Sequence, residues 1–230
     1  MSQRTLPGDP PVELTLRRSA RARRISLRVS GLDGKVTLTL PQGTPETQAL
    51  QFAHTKAEWL RAQLHRQPPL ALVSPGSVLP VEGRPTAISL GQSRRIERTN
   101  EALMIPGPTA TFAVKAEAWL KTLARDRLIA ASDRFAHALD LEYSRISLRD
   151  TRSRWGSCSA EGRLMYSWRL ILAPPDVLNY VAAHEVAHLK EMNHSAAFWS
   201  TVEKLFPDYD APRRWLRENG AELHRYRFRT

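Results

Sequence analysis

Apolar and polar residues change rhythm several times along this chain, and each rhythm predicts a different element. Over residues 12–40 the period is two. VELTL, RISLRV and KVTLTL put apolar side chains on one face and polar ones on the other, as half-buried strands do, and GLDG between the last two is a turn signal. TPETQALQFAHTKAEWLRAQLHR then shifts to a helical stripe, with Leu50, Ala53, Ala57, Leu60 and Leu64 at steps of three and four. Thr44 is placed to cap that helix, with Pro45 in its first position. QPPLALVSPGS breaks the stripe. Short strand-like pieces return over residues 77–105, with turns at EGRP and TNEA.

A long helix is predicted over residues 109–139, burying Phe112, Leu120, Leu123, Leu128, Ile129, Phe135 and Leu139. RISLRD then reads as a strand, RWGSCSAEGR as a turn with its flanks, and LMYSWRLILAPP as a second strand. Three helices close the chain, at about 175–191, 195–206 and 208–223. Pro106-Gly107-Pro108 marks a boundary. The expected division is a β-rich N-terminal region with one helix over residues 1–107 and an α+β domain over 108–230.

Composition narrows the class. With 230 residues, 42% of them hydrophobic, the chain can bury a core without cross-links. Its one cysteine, Cys158, cannot form an intrachain disulfide, which fits a reducing compartment. MSQRTLPGDPPVELTL lacks the apolar centre of a signal peptide, and no apolar run is long enough to span a bilayer. The expectation is a cytoplasmic protein with no membrane contact. The formal net charge is +11. RRSARARRISLR holds Arg17, Arg18, Arg21, Arg23, Arg24 and Arg28 and no acid. Such a segment attracts nucleic acid or another polyanion, although a solvated hairpin face can carry the same composition.

The chemistry gathers in AAHEVAHLKEMNHSAAFW, residues 182–199. His184 and His188 are four apart, so they share one helical face a turn apart and can meet a single ion. Glu185, one step around the helix, can reach a water on that ion without ligating it. The neighbours Ala182, Ala183, Val186 and Ala187 are apolar. Two imidazoles and a carboxylate buried there without partners would be costly, and a metal removes that cost. His194 is the favoured third ligand, but a continuous helix would carry it off the His184/His188 face, so the chain must turn between them. Asn193 suits that turn, and Ser195 or Asn193 can cap the helix that follows. Glu218 and Glu222 stand as alternatives of the glutamate-ligand class, and His224 as a more distant one.

RWGSCS, a strand ending in LILAPP, and HEVAHLKEMNHSAAFW together resemble the YgjP-like metallopeptidase family. HExxHxxxxxH followed by FW is also similar to WLM proteases and, more distantly, to SprT-like proteases. The resemblance implies a compact zincin-like metallopeptidase domain with a small antiparallel sheet and an HExxH helix. It also implies one catalytic zinc ion on His184, His188 and His194, with Glu185 as general base. The function expected is hydrolysis of peptide bonds in a peptide or protein substrate by a metal-activated water. Phe198 and Trp199 would pack the ligand loop against the helix, and Tyr166, Arg154, Tyr180 and Tyr209 are candidates for a second oxyanion donor.

Two other functions use the same unit. One is a zinc-dependent nucleotide or phosphoanhydride hydrolase, suggested by Arg149, Arg152, Arg154, Arg163 and Arg169 just before the motif. The other is a nucleic-acid-associated protease. For a peptide substrate, RLMYSW is expected to be the edge strand beside the cleft, with pockets at Tyr166 and Trp168. Gly156 is expected to serve a tight turn, and Cys158 to be an inert thiol.

Overall fold

The computed structural model describes residues 2–31, 34–65, 70–99 and 102–229. Two compact units divide the chain, Met1–Leu70 and Ala71–Thr230. The parts of GLDG and TNEA that would form their turn centres, Leu32, Asp33, Asn100 and Glu101, lie outside the described residues, as do Arg66, the last residue of the expected helical stripe, and residues 67–69 at the start of the expected break.

In the first unit the alternating segments form strands as expected. β1 (Ser2–Leu6), β2 (Val12–Ser19), β3 (Ser26–Val29) and β4 (Val36–Pro41) pair in the order β1-β2-β4-β3. The β2–β4 pair is parallel and the other two are antiparallel. β1 is an addition, because SQRTL has no alternation to announce it. Val12, Leu14, Leu16, Val36, Leu38 and Leu40 form the buried face. Against it pack Ala49, Ala53 and Leu60 of the helical segment. That segment is two helices, α1 (Glu46–Thr55) and α2 (Ala57–His65), not one. The Thr55 hydroxyl donates to the Phe52 carbonyl at 2.8 Å, a local bond that competes with the helical ladder where it breaks. Pro45 is the cap residue rather than the first helical one, and no side chain caps α1.

In the second unit, β5 (Ala71–Leu72), β6 (Ser77–Val81), β7 (Arg84–Gly91), β8 (Glu97–Arg98) and β9 (Ala102–Pro106) precede the long helix α3 (Thr109–Ala138). β6, β7, β9 and β8 form one sheet in that order. Leu79, Val81, Ile88, Leu103 and Ile105 share a core with Phe112, Leu120, Leu128, Leu164, Trp168 and Val181. The structure therefore divides the chain at 70/71, not at 107/108. Pro106-Gly107-Pro108 is a bend inside one unit, with Pro108 capping α3.

A second small sheet follows, from β10 (Arg145–Arg149), β11 (Gly156–Cys158) and β12 (Arg163–Ser167). Its order is β10-β12-β11, with β10 parallel and β11 antiparallel to β12. The expected role of RLMYSW is thereby overturned, since β12 is paired on both sides. Tyr166 and Trp168 are buried, so neither can form a substrate pocket. The strand also stops at Ser167, and Trp168–Leu172 winds into a 3-10 turn. α4 (Pro175–Ala187), α5 (Ala196–Leu205) and α6 (Asp210–Asn219) come next. The last strand, β13 (Tyr226–Arg227), pairs with β5.

Arg169 ties the C-terminal segment to this sheet. Its side chain is buried and grips Asp150 through Nε at 2.6 Å and Nη2 at 3.0 Å. Nη1 donates to the carbonyls of Leu223 and Tyr226 at 3.0 and 3.1 Å. Burial raises the Asp150 carboxyl, but the Arg169 guanidinium, by hydrogen bond and by charge, more than offsets this and holds it below the ordinary carboxylate range. A depressed folded-state pKa stabilises the fold above the unfolded pKa and loses that contribution as pH falls through the folded one. The thermal midpoint should therefore drop as pH falls below about 4. Asp150→Asn should lower the midpoint at neutral pH and flatten that acid limb; an unchanged limb would deny the pair its role.

Candidate metal centre and active site

α4 runs without interruption through His184 because Ala182, Ala183, Val186 and Ala187 pack into the core. It ends at Ala187, and the chain then turns. Lys190 and Glu191 donate backbone N–H groups to the Ala187 carbonyl at 3.1 and 3.0 Å. Ser195 restarts the helix, its hydroxyl accepting from Phe198 N–H at 3.3 Å. The reversal brings His194 back to the face it would otherwise have left.

The result is convergence. The ligating atoms of His184, His188 and His194 all lie within 4.8 Å of one another. Nε2 of His184 and Nε2 of His194 face each other at 3.1 Å. Two nitrogens each about 2.0–2.1 Å from a tetrahedral zinc ion would be about 3.3 Å apart, so this spacing suits that ion. His188 Nδ1 lies 2.9 Å from the Glu191 carbonyl; donating a proton there leaves the Nε2 lone pair free. Burial and the neighbouring histidines push His184 down to about 3, and burial also lowers His188. Both imidazoles are neutral at pH 7, the form a metal needs. His184 Nδ1 is buried without a hydrogen-bond partner among the described residues.

Aromatic rings hold this group in place. Phe198 is fully buried and stacks on His188 at 4.4 Å, with its edges toward His184 and His194 at 4.9 and 4.8 Å. Trp199 lies 5.8 Å from His184 and 5.9 Å from His194. Tyr209 stacks between Trp199 and Tyr180, and Arg213 sits over the Trp199 ring at 4.4 Å. Glu218 and Glu222 are exposed and outside the histidine group. His224 is buried elsewhere, against the Trp155 ring at 5.2 Å.

Glu185 lines a cavity of about 220 Å3 together with Arg154, Trp155, Gly156, Tyr180, Val181, His184 and Leu216. Burial pushes its carboxyl up to about 8, with the charge of Arg154 pulling the other way. Gly156 approaches it closely. A Cβ at that position would sit 2.5 Å from Glu185 Oε1 and 2.6 Å from Cγ. Gly156 therefore serves a close approach rather than a tight turn, a role that nothing in RWGSCS distinguishes beyond the glycine itself.

The other expected residues separate clearly. Arg154 and Tyr180 line the cavity, and burial pushes the Tyr180 phenol up to about 12, so it is a neutral donor. Tyr166 does not reach the cavity: its hydroxyl is buried 3.0 Å from Ser132 Oγ. Burial, with the charge of Glu185, pushes the half-buried Cys158 thiol up to about 11, which leaves it protonated. Of the five arginines before the motif, Arg169 is held by Asp150 and Arg163 by Glu161, and Arg154 alone lines the cavity.

The model of the YgjP-like metallopeptidase domain matches residues 23–219. The chain belongs to the YgjP-like metallopeptidase family. No curated protein matches. Among solved structures, the crystal structure of the metallopeptidase zymogen of Pyrococcus abyssi abylysin aligns at 24% identity over 41% of this chain and 93% of that one, with a TM-score of 0.34. As a member of the YgjP-like family, the protein is a metallopeptidase with a mixed α+β fold, and its three-histidine group is compatible with zinc. No helix among the described residues is long and apolar enough to cross a membrane.

The choice of third ligand can be tested directly. His194→Ala should weaken zinc binding at least about 100-fold, whereas Glu218→Gln and Glu222→Gln should leave it unchanged. Competition against a chromophoric chelator reads both, and loss of zinc in either glutamine variant with retention in His194→Ala would reverse the assignment.

Proposed function

We propose that this YgjP-like protein is a zinc-dependent peptidase of the zincin type that cleaves an extended polypeptide laid against β11. The observation that carries this is the convergence of three imidazoles, one of which, His184, shares a cavity with the buried Glu185 carboxylate, beside a strand, β11, that has no partner on one edge among the described residues. His184, His188 and His194 would hold the ion. When bound, zinc would supply Lewis-acid polarisation and acidify a water molecule. Glu185 takes the proton from the attacking water and returns it to the leaving amine. Tyr180 and Arg154 line the same cavity and would supply the donors to the developing oxyanion.

Substrate binding follows from sheet pairing. Trp155 accepts through its carbonyl from Ser167 N–H at 2.8 Å, and Ser159 N–H donates to the Arg163 carbonyl at 3.0 Å. Positions 155, 157 and 159 thus turn their backbone groups toward β12. By alternation, Gly156 and Cys158 turn theirs to the open edge. β11 has no partner on that edge among the described residues, and it packs beside α4. An extended peptide can pair there through backbone bonds alone, which tolerates many sequences. The phosphoanhydride reading lacks the cluster of cations it needs, since the cavity holds one arginine rather than five.

The test is digestion of an unbiased peptide library by the zinc-loaded protein, with Cys158→Pro beside Cys158→Ala. The proline removes one edge N–H and should cut cleavage at least about tenfold while zinc stays bound. The alanine keeps that N–H and should cleave normally, which also excludes the thiol as nucleophile. Equal activity in both variants would move the substrate off β11, and no cleavage of any peptide, with zinc bound, would end the peptidase reading.

A further inference from the structure

The twelve-residue arginine segment plays no part in the histidine site, and its placement on the first sheet gives it a role of its own. β3 turns Leu27 and Val29 inward, packed with the core of the first unit. The alternate positions, Ser26 and Arg28, therefore face the other side. Register extends that face across the sheet. Arg17 pairs with Thr39 and Thr15 with Thr37 on the parallel ladder, while Ser26 pairs with Thr39 and Arg28 with Thr37 on the antiparallel one. Since α1 and α2 cover the apolar face, the opposite face of β2–β4–β3 presents the exposed Arg17, Ser26 and Arg28 and the half-buried Thr37 and Thr39, while Thr15 is buried. The loop between β2 and β3 adds Arg21, Arg23 and Arg24, all exposed.

Arg17, Arg21, Arg23, Arg24 and Arg28 are exposed and have no ion-pair partner among the described residues, whereas Arg4 pairs with Glu46 and Arg18 donates to the carbonyls of Gln42 and Thr44. Among the described residues the acid on this face, Glu13, lies toward the opposite end of β2 and accepts from Thr5. Five like charges held together repel one another, so the arrangement favours a multivalent anion.

We propose that this end of the N-terminal sheet, with the β2–β3 loop, is a docking surface for the phosphate backbone of a nucleic-acid duplex. Arginines interleaved with Ser26, Thr37 and Thr39 are the donor types that contact phosphate oxygens. Arg17 on β2 and Arg28 on β3 have β4 between them, about 9.5 Å across the sheet, so the charges spread over a surface instead of closing on one small anion. An acidic protein would be expected to meet an apolar or aromatic anchor, and the face offers none. A single strand would be expected to meet aromatic stacking platforms, and these strands contain no Phe, Tyr or Trp. The contact is accordingly to the backbone, independent of sequence.

The experiment is fluorescence anisotropy of the full chain with a labelled 20-base-pair duplex between about 50 and 200 mM salt. Two duplexes of different sequence should bind alike, with log affinity falling linearly against log salt. Arg21→Gln/Arg23→Gln/Arg24→Gln should reduce the slope by about 2.7, and Arg17→Gln/Arg28→Gln by about 1.8, at about 0.9 per phosphate contact. Arg94→Gln/Arg95→Gln removes two exposed charges from the other unit and should leave the slope unchanged. Thermal melts of each variant verify folding, and Glu185→Gln should bind as the parent does, which separates this result from the peptidase reading. Tighter binding of polyglutamate or of a single strand than of the duplex, equal losses in the Arg94/Arg95 variant, or no binding at the lowest salt would each overturn the proposal.

Discussion

Glu185→Gln should retain zinc and lose peptide turnover by about 10³–10⁴-fold, the upper part of the range for removing a general base. The amide matches the carboxylate in size, so the cavity keeps its shape, and it removes a buried ionisable group, so the fold should be no less stable. It cannot accept a proton from water. The loss should therefore appear in kcat, with KM little changed, because the substitution touches the transition state and not the strand edge. Metal analysis of the purified variant, set beside its kinetics, checks both halves. Full turnover with bound zinc would remove Glu185 from the reaction.

Gly156→Ala is the second large effect, and it comes through geometry. The new Cβ would overlap Glu185 at Oε1, Cγ and Cδ, with separations of 2.5, 2.6 and 2.7 Å. Either the glutamate swings out of its place or β11 retreats from α4. A displacement of about 1 Å can cost on the order of 100-fold in rate, so kcat should fall by that factor while zinc affinity is kept. Gly156→Val should be worse, because its larger side chain deepens the same collision. The outcome that denies the positioning role is a variant with normal kcat, or one whose loss follows loss of zinc.

Physical differences separate what was legible in the linear order from what was not. HExxH could be read because the ligand pair and the glutamate are local: four residues on a helix fix their relative direction whatever surrounds them. The alternating strands of the first unit and the long α3 were readable for the same reason, since one face of each is buried and the pattern repeats. The split of the first helical stripe was not legible. Its apolar positions stay in phase across Lys56, and only the local bond at Thr55 marks the break.

Long-range pairing was beyond the sequence altogether. Alternation in RLMYSW shows a strand but says nothing of how many neighbours it has, and that number decided whether it could hold a substrate. The short GSC strand, which reads as a turn, became an edge strand of the sheet, as β10 did, because both paired with β12. Residues 71–106 and α3 look like separate regions across a Pro-Gly-Pro bend. Their buried side chains meet in one core, a contact between positions far apart in the chain. The sequence by itself determined the candidate donors: three imidazoles, a carboxylate and a run of arginines with no acid among them. Tertiary structure alone decided their company, because a chain reversal is needed to bring His194 to His184, and sheet pairing is needed to lay Gly156 on Glu185.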